Sequence, residues 1–370
     1  MKQVVLVGGG HSHLEVVRRF GERPPADAAI LLIDPATHAT YSGMVPGLIA
    51  GHYRFEDCHV DLARLCARAR VTFLNRRVCR IDSARQSIQL DDGSSIAYDL
   101  ASLDVGSTPA AVRTPGVAEH ALMVKPFAGF EQRMNEVLDG VRKSRVRHIA
   151  VVGGGSAGVE LALSLRHRIR QFTNETKVSF ALITADDYLL RSHNPRVRTI
   201  VARLMNDRGI TVHTNTKAEQ LVAGSIICSG GTVISSDATI WATGPAAPAW
   251  FDGSGLALDA RGFLSVDATL ASVTDSNVFG AGDCATIQDR NYPKSGVYAV
   301  REGPVLAENI RRKLNGEPLL HYEPQHIALA LISGGDRYAI ASYGALALEG
   351  AWVWRWKDYI DRKFMRRYEA

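Results

Sequence analysis

An α/β chain containing two similar nucleotide-binding units, one interrupting the other, is predicted by three observations. The run Val4-Val5-Leu6-Val7 stops at Gly8-Gly9-Gly10 and gives way to helical spacing at Leu14 and Val17. The same design returns at Ile149-Ala150-Val151-Val152, followed by Gly153-Gly154-Gly155 and Gly158. Two later strand-to-glycine turns, Leu103 to Pro109 and Asp237 to Pro245, mirror each other, as expected when one domain is inserted into another. A buried parallel strand feeding a tight glycine turn and a helix is the signature of a dinucleotide site. The expected fold is therefore α/β, with two Rossmann-like, three-layer (ββα) dinucleotide-binding domains and a C-terminal segment.

Composition agrees. A chain of 370 residues can bury two or three domain cores. Its 46% hydrophobic and 22% charged residues describe an ordinary globular protein. No apolar run has membrane-spanning length, and the N-terminus enters a strand directly rather than a signal peptide. Cys58, Cys66, Cys79, Cys228 and Cys284 form no C-x-x-C and no metal spacing, an odd scattered set that fits a reducing cytoplasm. The net charge of +5 is concentrated near the C-terminus, which argues against a nucleic-acid partner.

In the first motif Gly8 permits the turn and Gly10 lets the backbone approach a ligand. Free N–H groups at the helix start, around His11 and Ser12, can then hold a pyrophosphate. His13 stands where G-x-G-x-x-G has its third glycine. Both histidines are open to two readings, support of the phosphates from behind or simple tolerance in a wide turn. The strand Ala29 to Ile33 ends at Asp34, where such folds place a carboxylate on the adenosine ribose. The segment Thr40 to Tyr53, with Tyr41 and Pro46, has the small and apolar residues of a chain fed past a flavin ring. Cys58 and Cys66, read as two turns apart on one helix, are too distant for a disulfide and are taken as buried or incidental.

Short strands are expected at 71–81, 87–90 and 96–100 around the Asp91-Asp92-Gly93 turn. Lys125-Pro126-Phe127 opens a helical stretch through Val141. After the second motif, the strand Val178 to Ile183 ends near Asp186, and Pro195 to Arg208 forms a helix with Val197, Ile200, Val201 and Leu204 on one face. Short strands follow at 210–213, 226–227 and 232–234. Residues 237–245, including Gly244, are read as the return to the first domain. Gly280-Ala281-Gly282-Asp283 closes a further strand. Ser295 can cap a helix starting at Gly296, whose positive end would face a flavin and stabilise the charge that a hydride brings. Lys294 and Tyr298 flank that helix start and are catalytic candidates. At the C-terminus, Trp352, Trp356, Ile360, Phe364 and Tyr368 recur every four residues, with Arg355, Lys357, Arg362, Lys363, Arg366 and Arg367 on the remaining faces. Such a helix either lies on a membrane surface or packs its aromatics on protein.

From Val4 to about Leu314 the chain resembles the pyridine nucleotide-disulfide oxidoreductase superfamily, and most resembles its branch of type II NADH dehydrogenases and sulfide:quinone oxidoreductases. Gly-Gly-Gly-His-Ser-His, Tyr-Ser-Gly-Met-Val-Pro-Gly and the C-terminal tail are similar to a flavoprotein group that sometimes occurs fused to selenophosphate synthase; no such domain lies within these 370 residues. The resemblance implies FAD at Gly8, Gly10, Asp34 and Asp283, with His11, Ser12, Tyr41, Pro46, Lys125, Gly244, Gly282, Ser295 and Gly296 around it. It implies NAD(P)H at Gly153, Gly155 and Gly158, with Glu160 as the catalytic carboxylate near the nicotinamide. Asp186 would repel a ribose phosphate and favour NADH, while Arg191 keeps NADPH open. The implied domains are 1–112 and 237–315 for FAD, 113–236 for NAD(P)H, and 316–370 as the C-terminal segment.

The expected activity is transfer of a hydride from NAD(P)H through FAD to a quinone-like or other small acceptor, without a redox cysteine pair. Two alternatives stay open, a sulfur- or selenium-handling flavoenzyme using Cys284 or Cys58, and a flavin-bearing regulatory partner. Val297 and Arg301 stand where type II dehydrogenases carry glutamines, so quinone is an expectation only. The expected setting is the cytoplasm, with room for peripheral contact on the inner membrane face through Trp352–Tyr368 and for a homodimer.

Overall fold

The computed structural model describes residues 1–110, 114–127, 129–173, 178–290 and 292–369. The expected boundary at residues 112 and 113 lies outside them.

The apolar opening strand, Lys2–Val7, sits at the centre of a five-stranded parallel sheet. In spatial order its strands are Val278–Gly280, Leu100–Leu103, Lys2–Val7, Ala28–Ile33 and Thr72–Leu74. Val7 is opposite Ile33 on one side and Leu103 on the other, so Gly8, Asp34 and Asp104 emerge together at the carboxyl end. Val4, Val5 and Leu6 are fully buried because both faces of the sheet are covered. The helices His11–Glu22 and Gly296–Asn315 pack closely against each other, and Gly303 allows the crossing: a Cβ there would lie 2.8 Å from the Glu15 Cβ. The antiparallel meander Val78–Asp82, Ser87–Leu90 and Ser95–Ala97 contributes Ile81, Ile88 and Leu90 to the same core and turns through Asp91-Asp92-Gly93 as expected.

The second domain repeats this plan. Its parallel sheet runs Ala121–Met123, Ala238–Trp241, His148–Val152, Ser179–Ile183 and Ile210–His213, with the meander Ala218–Val222, Ser225–Cys228 and Val233–Ser235. One boundary moves. Ala238–Trp241, expected to belong to the returning first domain, is an inner strand of the second, paired with His148–Val152 and Ala121–Met123. The chain returns only at Pro245–Ala246, which pairs antiparallel with the outgoing Thr108–Pro109. Mirror-image turns could not reveal which sheet the preceding strand joins.

Some element limits also differ. The helix expected from Lys125 begins at Phe130. Pro195–Asp207 is helical and buries Val197, Val201, Leu204 and Met205, with Ile200 half-buried. Cys58 ends the short helix Phe55–Cys58 and Cys66 lies in Leu62–Ala69, so they are on separate helices; both are buried and free.

The C-terminal segment contains an antiparallel sheet that periodicity did not foretell, Ala330–Ser333, Ala339–Tyr343 and Leu346–Gly350, followed by the helix Ala351–Glu369. The aromatic stripe on that helix divides. Phe364 and Tyr368 are buried on the body of the protein, whereas Trp352 and Trp356 are 50% and 38% exposed. Lys357, expected among the solvated basic residues, is buried. No helix among the described residues is long and apolar enough to cross a membrane.

Candidate functional site

The two glycine turns are built alike and finished differently. Gly8 has φ 93° and Gly153 has φ 131°, a region that side chains avoid. A Cβ on Gly8 would lie 2.4 Å from the Asp104 carbonyl oxygen, and one on Gly153 lies 2.4 Å from that of Ala242. In the second motif Gly158 must also be glycine, since a Cβ would come within 1.9 Å of the Gly153 carbonyl oxygen. His13 occupies that place in the first motif. Its buried ring joins Nδ1 to the Gly8 carbonyl at 2.6 Å and Nε2 to Ser102 Oγ at 2.8 Å, and burial pushes its pKa down to about 4. A neutral ring thus pins helix to strand where the other motif relies on close backbone contact. Of the two open readings, His13 is therefore a structural member of the turn.

Asp34 is where the sequence predicts, with Oδ2 accepting from Gly9 N–H at 2.6 Å and Oδ1 from Ala36 N–H at 2.7 Å. Burial raises its pKa against these two bonds. Lys125 and Asp283 are brought together: Nζ donates to Asp283 Oδ2 at 2.7 Å and to Ser107 Oγ at 3.0 Å. Tyr41 stacks on Phe364 at 4.3 Å, and its hydroxyl donates to Asp361. His11 lies edge-on to Tyr41 and near Gly296. Its Nε2 is buried without a partner, and burial pushes the ring down to about 4, so a neutral imidazole faces this space. Ser12 is turned away, donating its hydroxyl to the Ala299 carbonyl. Pro46 lies in the first turn of the helix Val45–Ala50, where its missing N–H costs nothing.

One expectation about the helix Gly296–Asn315 changes, and two candidates beside it are placed. Ser295 makes no side-chain cap; only its carbonyl accepts, from Tyr298 N–H at 3.0 Å. Lys294 is tied to the Ala285 carbonyl and Thr286 Oγ1 and lies over the Phe263 ring. Tyr298 packs on Tyr292. Neither makes a contact with Glu160 among these interactions. Lysine and tyrosine beside a glycine turn carry no mark in sequence of which way they point.

In the second domain Gly155 has open space where a Cβ would stand, an unblocked helix start at Ser156–Arg170 suited to a phosphate. Register shows that Thr184, not Asp186, stands where Asp34 stands in the first domain, because Val152 pairs with Ile183 as Val7 pairs with Ile33. Asp186 is two residues further and half-buried, with Arg191 at 3.3 Å. Gly244 has open space around it, just past the inner strand Ala238–Trp241. Sequence reasoning missed His193, which bridges Ser342 Oγ at 2.9 Å and Ser156 Oγ at 3.5 Å.

Glu160 projects from the same helix and accepts from Ser333 N–H at 2.7 Å. Burial pushes its pKa up to about 7, opposed chiefly by Lys357. Lys357 donates to Asp361 Oδ2 and to the Gly43 carbonyl, both at 2.6 Å. The C-terminal helix thereby links Glu160, beside the second cradle, to Tyr41, beside the first. The cysteines lack any such setting. Burial pushes Cys58, Cys66 and Cys284 up to about 12, far from thiolate chemistry.

Residues 2–303 match the model of the pyridine nucleotide-disulphide oxidoreductase family. Among curated relatives, a type II NADH:quinone oxidoreductase of Haemophilus influenzae is 24% identical, over 87% of this chain and 83% of its own. A demethylphylloquinone reductase of Synechocystis is 24% identical over 92% and 87%. The sulfide:quinone oxidoreductase of Aquifex aeolicus superposes with a TM-score of 0.84 at 19% identity, covering 100% of this chain and 91% of its own. NDH2 of Plasmodium falciparum, solved with NADH, gives 0.81 at 16% identity over 99% and 98%. With two glycine cradles in the expected sheets and the family matched over most of its length, this chain belongs to the pyridine nucleotide-disulphide oxidoreductases, which use FAD and a pyridine nucleotide.

Proposed function

We propose that the protein is an NADH dehydrogenase that reduces a quinone-class acceptor through FAD without a cysteine intermediate. The observation that carries this reading is Glu160: a half-buried carboxyl with a pKa pushed up to about 7, following the nucleotide cradle and linked by the C-terminal helix to the flavin side. When bound, FAD supplies acceptance of a hydride and its onward release as electrons. The residues here bind and orient. Gly8, Gly10 and Asp34 cradle the adenosine half of FAD. The Lys125–Asp283 pair holds the ribityl region, and the start of Gly296–Asn315 turns its positive end toward the ring. Gly153, Gly155 and Gly158 hold the nicotinamide nucleotide. Glu160 can keep or yield a proton near neutrality, and Lys357 with Asp361 fixes the charge behind it.

Quinone is favoured as acceptor because curated relatives over most of the chain are named for quinone or phylloquinone reduction. NADH is favoured because the position after the strand Ser179–Ile183 holds no cation of its own and Asp186 engages Arg191. We further propose that Trp352, Trp356 and Tyr359, 50%, 38% and 59% exposed beside Arg355 and Lys363, rest on an anionic membrane surface. Cosedimentation with anionic vesicles, weakened by serine at these three positions, tests that contact; equal binding by the serine variant would remove it. The buried, high-pKa thiols weigh against the sulfur-handling alternative.

The main test is anaerobic mixing of the protein with NADH, and separately NADPH, while following flavin absorbance. Bleaching by NADH and recovery on a soluble quinone are expected. Bleaching without recovery on any quinone would overturn the acceptor assignment, and no bleaching by either nucleotide would overturn the donor.

A further inference from the structure

The two cradles differ at a second position that register makes equivalent, besides Asp34 and Thr184. Val7 pairs with Leu103 and Val152 pairs with Trp241, so the next residues, Asp104 and Ala242, correspond. Ala242 leaves the helix start beyond Gly155 open. Asp104 closes its counterpart. Its Oδ2 accepts from Ser12 N–H at 2.8 Å and His13 N–H at 3.0 Å, two of the amides that a helix start offers to an anion. Its carboxyl group lies against Gly10 and Gly282 so closely that a Cβ on either would meet it at 2.3 and 2.5 Å. It is only 3% exposed.

The site therefore already contains a carboxyl group where the pyrophosphate of FAD must approach. Other groups facing Asp104 add to the difficulty. Glu302, 1% exposed on the helix Gly296–Asn315, accepts from Gly282 N–H at 2.6 Å, and Asp283 follows in the same turn. Cys284 is buried beside them as a neutral thiol, and the His13 ring is neutral. Of the lysines at this turn, Lys125 is committed to Asp283, and Lys294, bonded to Thr286, favours the charged form of Glu302. A doubly charged pyrophosphate added to this group of carboxylates in a water-poor space would be strongly disfavoured.

Resting on the assignment of FAD to this cradle, we propose that FAD binding takes up one proton onto Asp104, whose carboxyl group then donates to a pyrophosphate oxygen while its other oxygen stays on the helix amides. The bare protein is poised for this. Burial, with Glu302 and Asp283 as like charges, pushes the Asp104 pKa up to about 7 against the two amide bonds. FAD raises it further, so affinity is greatest below neutrality and declines above it. Asp104 is a positioning residue that makes retention of the cofactor sensitive to pH.

The test is titration of the flavin-free full-length chain with FAD at several values between about pH 6 and about pH 8.5, followed by flavin fluorescence. Calorimetry in two buffers of different ionisation enthalpy counts protons. One-proton linkage raises Kd by up to tenfold per pH unit well above the Asp104 pKa of about 7, or roughly fifteenfold from pH 7 to 8.5, because half of Asp104 is already deprotonated at pH 7. Uptake approaching one proton is expected near the upper end. Asp104→Asn keeps an acceptor on the amides and a donor for phosphate, so its Kd should be flat with pH and tighter than wild type at the upper end. A flat wild-type Kd with no proton uptake, or the same slope in Asp104→Asn, would overturn the proposal while leaving the flavoprotein reading standing. Absence of FAD binding at every pH would overturn both. Should the variant fail to fold, the proton count on the wild-type chain decides alone.

Discussion

Replacing Gly158 by alanine should separate the two cofactor sites. The added Cβ would stand 1.9 Å from the Gly153 carbonyl oxygen, where a carbon–oxygen contact needs roughly 3.3 Å. The helix Ser156–Arg170 must therefore retreat from the turn by about 1.4 Å to reach that separation. Overpacking of this kind costs about 1–3 kcal/mol, which a domain with its own core can absorb. The catalytic geometry cannot absorb it so easily. A displacement of about 1 Å in a positioning element can lower a rate on the order of a hundredfold, and here it moves both the phosphate-binding helix start and Glu160. FAD content, read from the ratio of flavin to protein absorbance, should match wild type, while stopped-flow bleaching by limiting NADH slows by about two orders of magnitude. The reciprocal change, His13→Gly, creates the glycine that the first motif lacks, yet should do harm. It removes the bonds to the Gly8 carbonyl and to Ser102, each buried group left unpaired costing about 1–3 kcal/mol. FAD should be lost more readily, with the second domain intact. Normal bleaching in Gly158→Ala, or firmer FAD retention in His13→Gly, would refute the view that the two turns are closed by different means.

Other outcomes follow from the buried charges. With FAD saturating, Glu160→Gln should remove a titration near pH 7 from quinone turnover, which in wild type declines as the pH rises and the carboxyl loses its proton. Lys357→Met should lower stability by about 3–5 kcal/mol, measured by urea unfolding, because Asp361 is left buried without its counter-charge, with only the Tyr41 hydroxyl on it. Native Asp104 holds a proton between about pH 4 and about pH 7 that the unfolded chain, with an ordinary value of 3.8, has released, so its contribution to stability falls across that window. The melting temperature of flavin-free wild type should fall relative to that of Asp104→Asn as the pH rises from about 4 to about 7, while His11 and His13 act oppositely and equally in both proteins. Serine at Cys58, Cys66 or Cys284 should leave NADH-to-quinone turnover within about twofold once the protein is folded, as buried thiols at about 12 take no part.

Glycine made much of this molecule readable. Strand, turn and helix follow one another where an apolar run meets three successive glycines, the first at positive φ, and both motifs obeyed. Asp34 was legible from its place at the end of the next strand and Asp283 from its place after Gly280-Ala281-Gly282, whereas the pairing of Asp283 with Lys125 is visible only in the structure. What spacing could not convey is pairing between distant strands. Ala238–Trp241 has the pattern of a parallel strand in either domain, and only its hydrogen-bonded neighbours decide. The same limit hid Asp104: its neighbourhood reads as another glycine turn, and its meaning comes from lying across the sheet from Gly10. The C-terminal helix misled for a different reason. Lys357 and Asp361 are four residues apart and would suit water on a solvated helix, but together they neutralise each other well enough to be buried. Short strands around Gly334-Gly335 had no periodicity long enough to register.

The last forty or so residues are anchored to both halves of the molecule. At one end Ser333 holds Glu160, and Asp336 meets Arg208 at 2.6 Å. At the other, the Tyr368 carbonyl receives Arg68 and Lys357 reaches Gly43. The paired crossings at Thr108–Pro109 and Pro245–Ala246 form the other tether. A lobe fastened by one hinge swings like a door; fastened at a second point, it can only twist within its frame. The spacing between the two nucleotide cradles is thus set by a strap that runs past both, and the chain carries its own gauge for the distance a hydride must cross.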